Sequence, residues 1–206
     1  MGTYQGRMGM KGTLGVKHFK APRTIPWQWK IKNYTRPAFI KGWLGWHAAH
    51  FFSQIFGSPI LLGSLHVKLI KRGGPVIDLG LASCRVVTTA FVNEMVDQLQ
   101  AEDSTWGDFK YHDSGVGTTA EAVGDTDMET TDGESRATGT QTENAANIYE
   151  SVATISYTTT KAITEHGVFN ASTSGELMDR SVFSAVNVVN GDSIQFTYRL
   201  TCTAGS

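Results

Sequence analysis

The chain has 206 residues, 40% hydrophobic and 10% aromatic, which is enough for one good-sized core and excludes global disorder. Its 18 Lys/Arg and 19 Asp/Glu conceal a split: twelve bases precede the first acid, Asp78, and nineteen acids then face six bases. A segment of +12 (12 minus 0) joined to one of −13 (6 minus 19) points to partners sooner than to chemistry. Two cysteines, Cys84 and Cys202, are too few for a disulfide framework and lack metal-site spacing. They read as buried free thiols, a single bridge being the alternative in an oxidising compartment.

In chain order, Met1 to Gly15 is Gly-rich without an apolar run, so no secretory signal is expected. Residues 1–63 read as a basic, aromatic N-terminal arm, extended in part and helical in part, holding Trp27, Trp29, Trp43 and Trp46. Ile25 to Lys32 alternates large apolar with polar residues and predicts an extended strand pressed on a surface. From Pro37 to Phe56 the apolar residues recur at three- and four-residue steps, which predicts a helix ended by Gly57-Ser58-Pro59. Gly42 and Gly45 weaken that helix. Lys41, His47, His50 and Gln54 interrupt its apolar run, so it is not expected to span a membrane, which takes about 20 predominantly apolar residues.

Residues 64–206 predict a mainly β domain, an antiparallel β-sandwich with one packed α-helix. Leu65 to Lys71, a turn at Arg72-Gly73-Gly74-Pro75, and Val76 to Leu79 form a hairpin. A helix follows at about 91–103, capped by Thr88 or Thr89, with Phe91, Val92, Met95, Val96 and Leu99 inward and Glu94, Asp97, Gln98 and Gln100 in water. Strands are predicted at roughly 109–116, 136–142, 147–158, 161–169, 177–188 and 193–203. The last is the cleanest, with Ile194, Phe196, Tyr198, Leu200 and Cys202 on the buried face.

Chemistry-bearing patterns are few. Asp125, Asp127, Glu129, Asp132 and Glu134 make a carboxylate-rich loop, but an EF-hand count from Asp125 puts Thr130 and Arg136 where Gly and Glu belong. A solvated acidic loop is expected. His47 and His50 lie three apart on the predicted helix without a third ligand nearby. His112-Asp113-Ser114 and Glu165-His166-Gly167 carry acid–base residue types without an activated nucleophile. Ser114 to Thr119 has phosphate-loop glycines without the lysine and reads as a flexible connection. No catalytic residue, metal or cofactor is expected.

The arm carries the functional expectation. Its contact residues are Trp27, Trp29, Lys30, Lys32, Arg36, Lys41, Trp43, Trp46, Phe51 and Phe52. Such a mixture suits nucleic acid, an anionic membrane surface, or a protein surface. A protein surface is favoured, because the acidic second part offers one within the same chain.

Six blocks carry a resemblance: Arg85 to Asn93, Phe109 to Gly115, Arg136 to Glu143, Ala162 to Phe169, Leu177 to Phe183, and Gly191 to Tyr198. Over about residues 80–206 the chain resembles structural proteins of tailed-bacteriophage virions. The resemblance implies a head decoration or cement protein that binds the major capsid protein or other virion proteins, as a homo-oligomer, in the virion. A neck, tail or fibre component is the alternative within that class. A nucleic-acid-binding protein using the arm, in contact with packaged genome, is the alternative outside it.

Overall fold

Alternation of apolar and polar side chains from Ile60 onward builds strands, which pair into two antiparallel sheets facing each other across one core. The structure, a computed structural model, describes residues 25–85, 87–99 and 108–203. The elements are α1 (Ile25–Tyr34), α2 (Pro37–Phe56), β1 (Ile60–Ile70), β2 (Val76–Arg85), α3 (Thr89–Leu99) and β3 (Tyr111–Gly115). They continue with β4 (Ala137–Thr138), β5 (Thr140–Ala145), β6 (Ile148–Ser156), β7 (Lys161–Phe169), β8 (Leu177–Val188) and β9 (Ser193–Thr203). One sheet has the order β2-β1-β9-β6-β5 and the other β4-β3-β7-β8. The chain is mainly β, with the strand pattern starting at Ile60, inside the segment read as arm.

Strand β9 lies between β1 and β6 and buries Ile194, Phe196, Tyr198 and Leu200, as the alternation requires. Cys202 extends that alternation but is exposed, because the strand has by then run past the core; Cys84 is buried, and neither thiol is joined in a disulfide. The β1–β2 hairpin forms around Arg72 to Pro75, and the buried Asp192 fastens it from the β8–β9 turn. Its carboxylate takes Lys71 Nζ at 2.6 Å and the Arg72 N–H at 2.9 Å. The chain passes from one sheet to the other at Gly139, between β4 and β5. A Cβ there would collide with the Ser151 hydroxyl and the His112 ring, so only glycine permits the crossing.

Helix α3 starts where Thr88 Oγ1 accepts the Phe91 N–H at 3.2 Å. The same hydroxyl donates to the Leu177 carbonyl, which ties the cap to β8. The expected extension to about 103 falls on residues outside those described. Phe91 is in the core and Met95 packs against it, but Val92, Val96 and Leu99 face solvent. Glu94, expected in water, is buried and accepts Gln98 Nε2 at 2.9 Å. The helix meets the body through one narrow line, so the predicted stripe is rotated.

The segment Ile25 to Lys32 is helical, not extended. Helical spacing puts Trp29, Asn33 and Arg36 on one face, and that face closes the open side of the sandwich. Asn33 Nδ2 donates to the Ala82 carbonyl on β2 at 2.9 Å, while Asn33 Oδ1 accepts the Ser184 N–H on β8 at 2.9 Å. Trp29 Nε1 donates to the Ser184 carbonyl at 2.9 Å, and Arg36 NH1 to the Val182 carbonyl at 2.9 Å. Three side chains thus satisfy edge groups of two sheets, which an extended segment could offer only to one. Trp27 and Ile31, which made the sequence alternate, point to solvent.

Candidate functional site

Helix α2 is packed inside out. Pro37 opens it and Gly57, in the left-handed region at φ 64°, closes it by donating to the Ser53 carbonyl at 3.0 Å. The face toward β1 and β2 carries Gly42, Trp46, Ala49 and Ser53, mostly small, so the helix backbone approaches the sheet closely. The opposite face carries Ile40, Trp43, Leu44, Phe51, Phe52, Ile55 and Phe56, each 43–70% exposed. A surface helix of a self-sufficient domain puts its large apolar residues inward. Here the only charge on the helix is Lys41.

The ten expected contact residues divide accordingly. Trp27, Lys32, Lys41, Trp43, Phe51 and Phe52 are exposed on the outer faces of α1 and α2. Trp29 is a core residue, and Arg36 is committed to Val182; both belong to the closure of the sandwich. Trp46 and Lys30 are half-buried, and the Trp46 indole N–H is enclosed without a partner among the described residues. His47 and His50 serve as ring neighbours of the tryptophans, His47 lying 4.4 Å from Trp43 and His50 5.9 Å from Trp46. Among the described residues no helix is long and apolar enough to cross a membrane.

The acidic loop is solvated only in part: Asp127 stays exposed, while Asp125, Asp132 and Glu134 are partly buried. It folds over the outer face of the β4-β3-β7-β8 sheet, where Arg136, Lys161 and Arg180 receive its carboxylates. Arg180 meets Asp125 at 3.0 Å, Glu129 at 3.4 Å and the fully buried Glu165 at 2.8 Å. Burial alone would weaken the Arg180 charge, but Asp125 and Glu165 hold its pKa above the ordinary value. Lys161 meets Glu134 at 2.7 Å. Arg136 meets Asp113 at 3.0 Å and lies 3.4 Å above the Phe169 ring centre. Burial pushes the Asp113 carboxyl up, with Arg136 opposing.

Ser114 to Thr119, expected to be a flexible connection, is fastened by the same acids. The N–H groups that a phosphate would need are engaged: Gly117 donates to Glu165 Oε1 at 3.0 Å and Thr119 to Glu129 Oε2 at 2.8 Å. Glu165 also accepts the N–H groups of Glu129 and Thr130. One buried carboxylate therefore organises both arms of the loop, a role that no local sequence pattern announces. Among the described residues no cluster of three His, Cys, Asp or Glu is placed to hold a metal ion.

The two acid–base triplets are neighbours across the β3–β7 register, Ser114 opposite His166 and Gly115 opposite Glu165. Strand alternation separates them again. Asp113 and Glu165 face the loop, whereas His112 and His166 face the core. His112 Nδ1 and His166 Nε2 share a hydrogen bond of 2.9 Å, and His112 Nε2 lies 2.8 Å from Ser151 Oγ. His166 stacks on Phe196 at 4.4 Å. Burial pushes His112 down to about 3 and, with its neighbour, pushes His166 well below the ordinary imidazole range. Both rings are fully buried, and this neutral pair bridges the two sheets.

The surface that remains is the outer face of α1 and α2. No protein-family model matches the chain, and no curated protein matches it either.

Proposed function

We propose that this chain is a structural protein of a tailed-phage virion, a head decoration or cement protein that binds its lattice through the outer faces of α1 and α2. The observation that carries the reading is the inverted helix α2, whose large apolar side chains face away from the chain's own core. Contiguous apolar surface of this kind marks an assembly interface. The resemblance over residues 80–206 supports the virion class. The body suits such a role, because its acidic loop is fastened by ion pairs and the β2 and β8 edges are met by side chains of Trp29, Asn33 and Arg36. The partners are the major capsid protein or another virion protein together with further copies of the chain as a homo-oligomer, with neck, tail or fibre as alternative placements.

Particle fractionation tests this. The protein should leave with capsids at fixed stoichiometry and resist moderate salt, because aromatic anchors contribute about 2 kcal/mol or more each and exposed ion pairs only about 0–1. Trp27→Ala with Phe52→Ala should reduce incorporation more than Lys30→Ala with Lys32→Ala. Absence from particles, together with nucleic-acid binding that falls steeply with salt, would replace this reading by the nucleic-acid one.

A further inference from the structure

The outward face of α2 reads the same in both directions. Reversed about a point between His47 and Ala48, the line of residues down the middle of that face maps onto itself, Ile40 onto Ile55, Leu44 onto Phe51, and His47 onto Ala48, with Trp43 and Phe52 on its opposite flanks. Each large apolar residue meets another, and the imidazole meets the smallest exposed side chain of the face. An antiparallel helix pair about a two-fold axis needs a face complementary to its own reversal, since an isologous interface places one patch against itself, and this seam meets that need. A heterologous partner would require no such symmetry. We infer that the partner of α2 is a second copy of this chain, docked α2 against α2 in antiparallel orientation.

Three further observations agree. The steps between Ile40, Leu44, His47 and Phe51 are four, three and four, the spacing of a helix–helix seam. Taking ~200 Å² for a fully exposed aromatic side chain, the seven outward residues present on the order of 700 Å² of apolar surface, about half of it on the seam residues Ile40, Leu44, Phe51 and Ile55. A standard stable interface takes ~800 Å² from each partner. The antiparallel arrangement also sets Lys41 at the height of the last turn of the partner's helix, where the helix dipole favours a cation. This inference deepens the reading of α2 as an assembly surface and rests on it, but not on what the particle is.

The test uses the purified full chain. Sedimentation equilibrium at micromolar concentration should give a dimer. Leu44→Glu with Phe51→Glu should weaken it by ~100-fold or more, since both positions are central in the seam. Both side chains are exposed, so the variant should keep its circular dichroism spectrum; Leu44→Ser with Phe51→Ser is the milder check. Orientation is read by cross-linking in a Cys202→Ser background. Copies with Ile40→Cys mixed with copies with Ile55→Cys should join on oxidation, while either alone should not. A monomeric wild type, a dimer untouched by both double variants, or cross-linking of Ile40→Cys with itself would overturn the inference. So would a monomer that floats with anionic phosphatidylserine vesicles, which would assign α2 to a lipid surface. A dimer absent from virions would sink only the virion reading, and a monomer found in virions would sink only the dimer.

Discussion

Asn33→Ala tests the closure of the sandwich by α1. Asn33 is fully buried, and its carboxamide bridges the two sheets as a peptide group would, donating to Ala82 and accepting from Ser184. Alanine leaves the Ser184 N–H and the Ala82 carbonyl without those partners. A buried polar group left unmade costs about 1–3 kcal/mol, and water admitted at a sheet edge recovers part of that, so the loss should be about 2–4 kcal/mol. Urea unfolding followed by far-ultraviolet circular dichroism would measure it, at unchanged m-value. Hydrogen exchange gives the residue-specific readout. The Ser184 amide is held by this side chain, so its protection should collapse while that of Phe196, deep in the middle of the other sheet, should fall only with global stability. A loss below ~0.5 kcal/mol with Ser184 still protected would show that α1 does not close the fold.

Phe196→Ala should cost on the order of 3–5 kcal/mol, because the ring is fully buried between His166 and Phe183; a loss below about 1 would refute that packing. Stability should fall on acidification from pH 7 to 5. His112 and His166 have folded pKa values below the unfolded ~6.5, so the unfolded chain binds more protons there, at about 2 kcal/mol per histidine over that interval. A flat profile over that window in denaturant titrations would contradict the neutral pair. Glu165→Ala removes the buried one of Arg180's carboxylate partners and the acceptor of three loop N–H groups and should cost about 3–5 kcal/mol, with faster proteolysis between residues 116 and 134. Truncation at residue 63 should destabilise the body by calorimetry, since it removes the start of β1, paired with Leu200 to Thr203, together with the α1 closure. An unchanged melting temperature would contradict this.

Much of the β framework was legible from the sequence because one face of each strand is buried. β7, β8 and β9 occupy the predicted ranges, and Thr88 caps the helix as expected. Alternation misled at Trp27, Trp29 and Ile31, where the decisive residues were Asn33 and Arg36, polar side chains whose partners lie about 150 positions away. No local pattern encodes such partners. The stripe on α3 failed for the same reason, since the body touches only one line of the helix. The acidic loop looked solvated because its bases, Arg136, Lys161 and Arg180, are dispersed along later strands. Of the contact surface, the exposed aromatics of α2 were legible as residues; that small residues would take the inner face was not.

The manner in which β8 is sealed has a consequence for growth. Its outer edge is occupied by the Thr88 backbone and by the side chains of Arg36, Asn33 and Trp29. Side chains terminate a ladder. A backbone strand laid in the same place would present a fresh edge and invite the next chain, whereas an indole, a carboxamide and a guanidinium present none. Among the described residues, β5 is left as a fully exposed edge, short and polar. Recruitment by sheet extension is therefore muted, and recruitment through a helix stops once its matching face is filled. Stoichiometry is then set by geometry, and a protein carrying this much apolar surface can reach a finite assembly without seeding fibres.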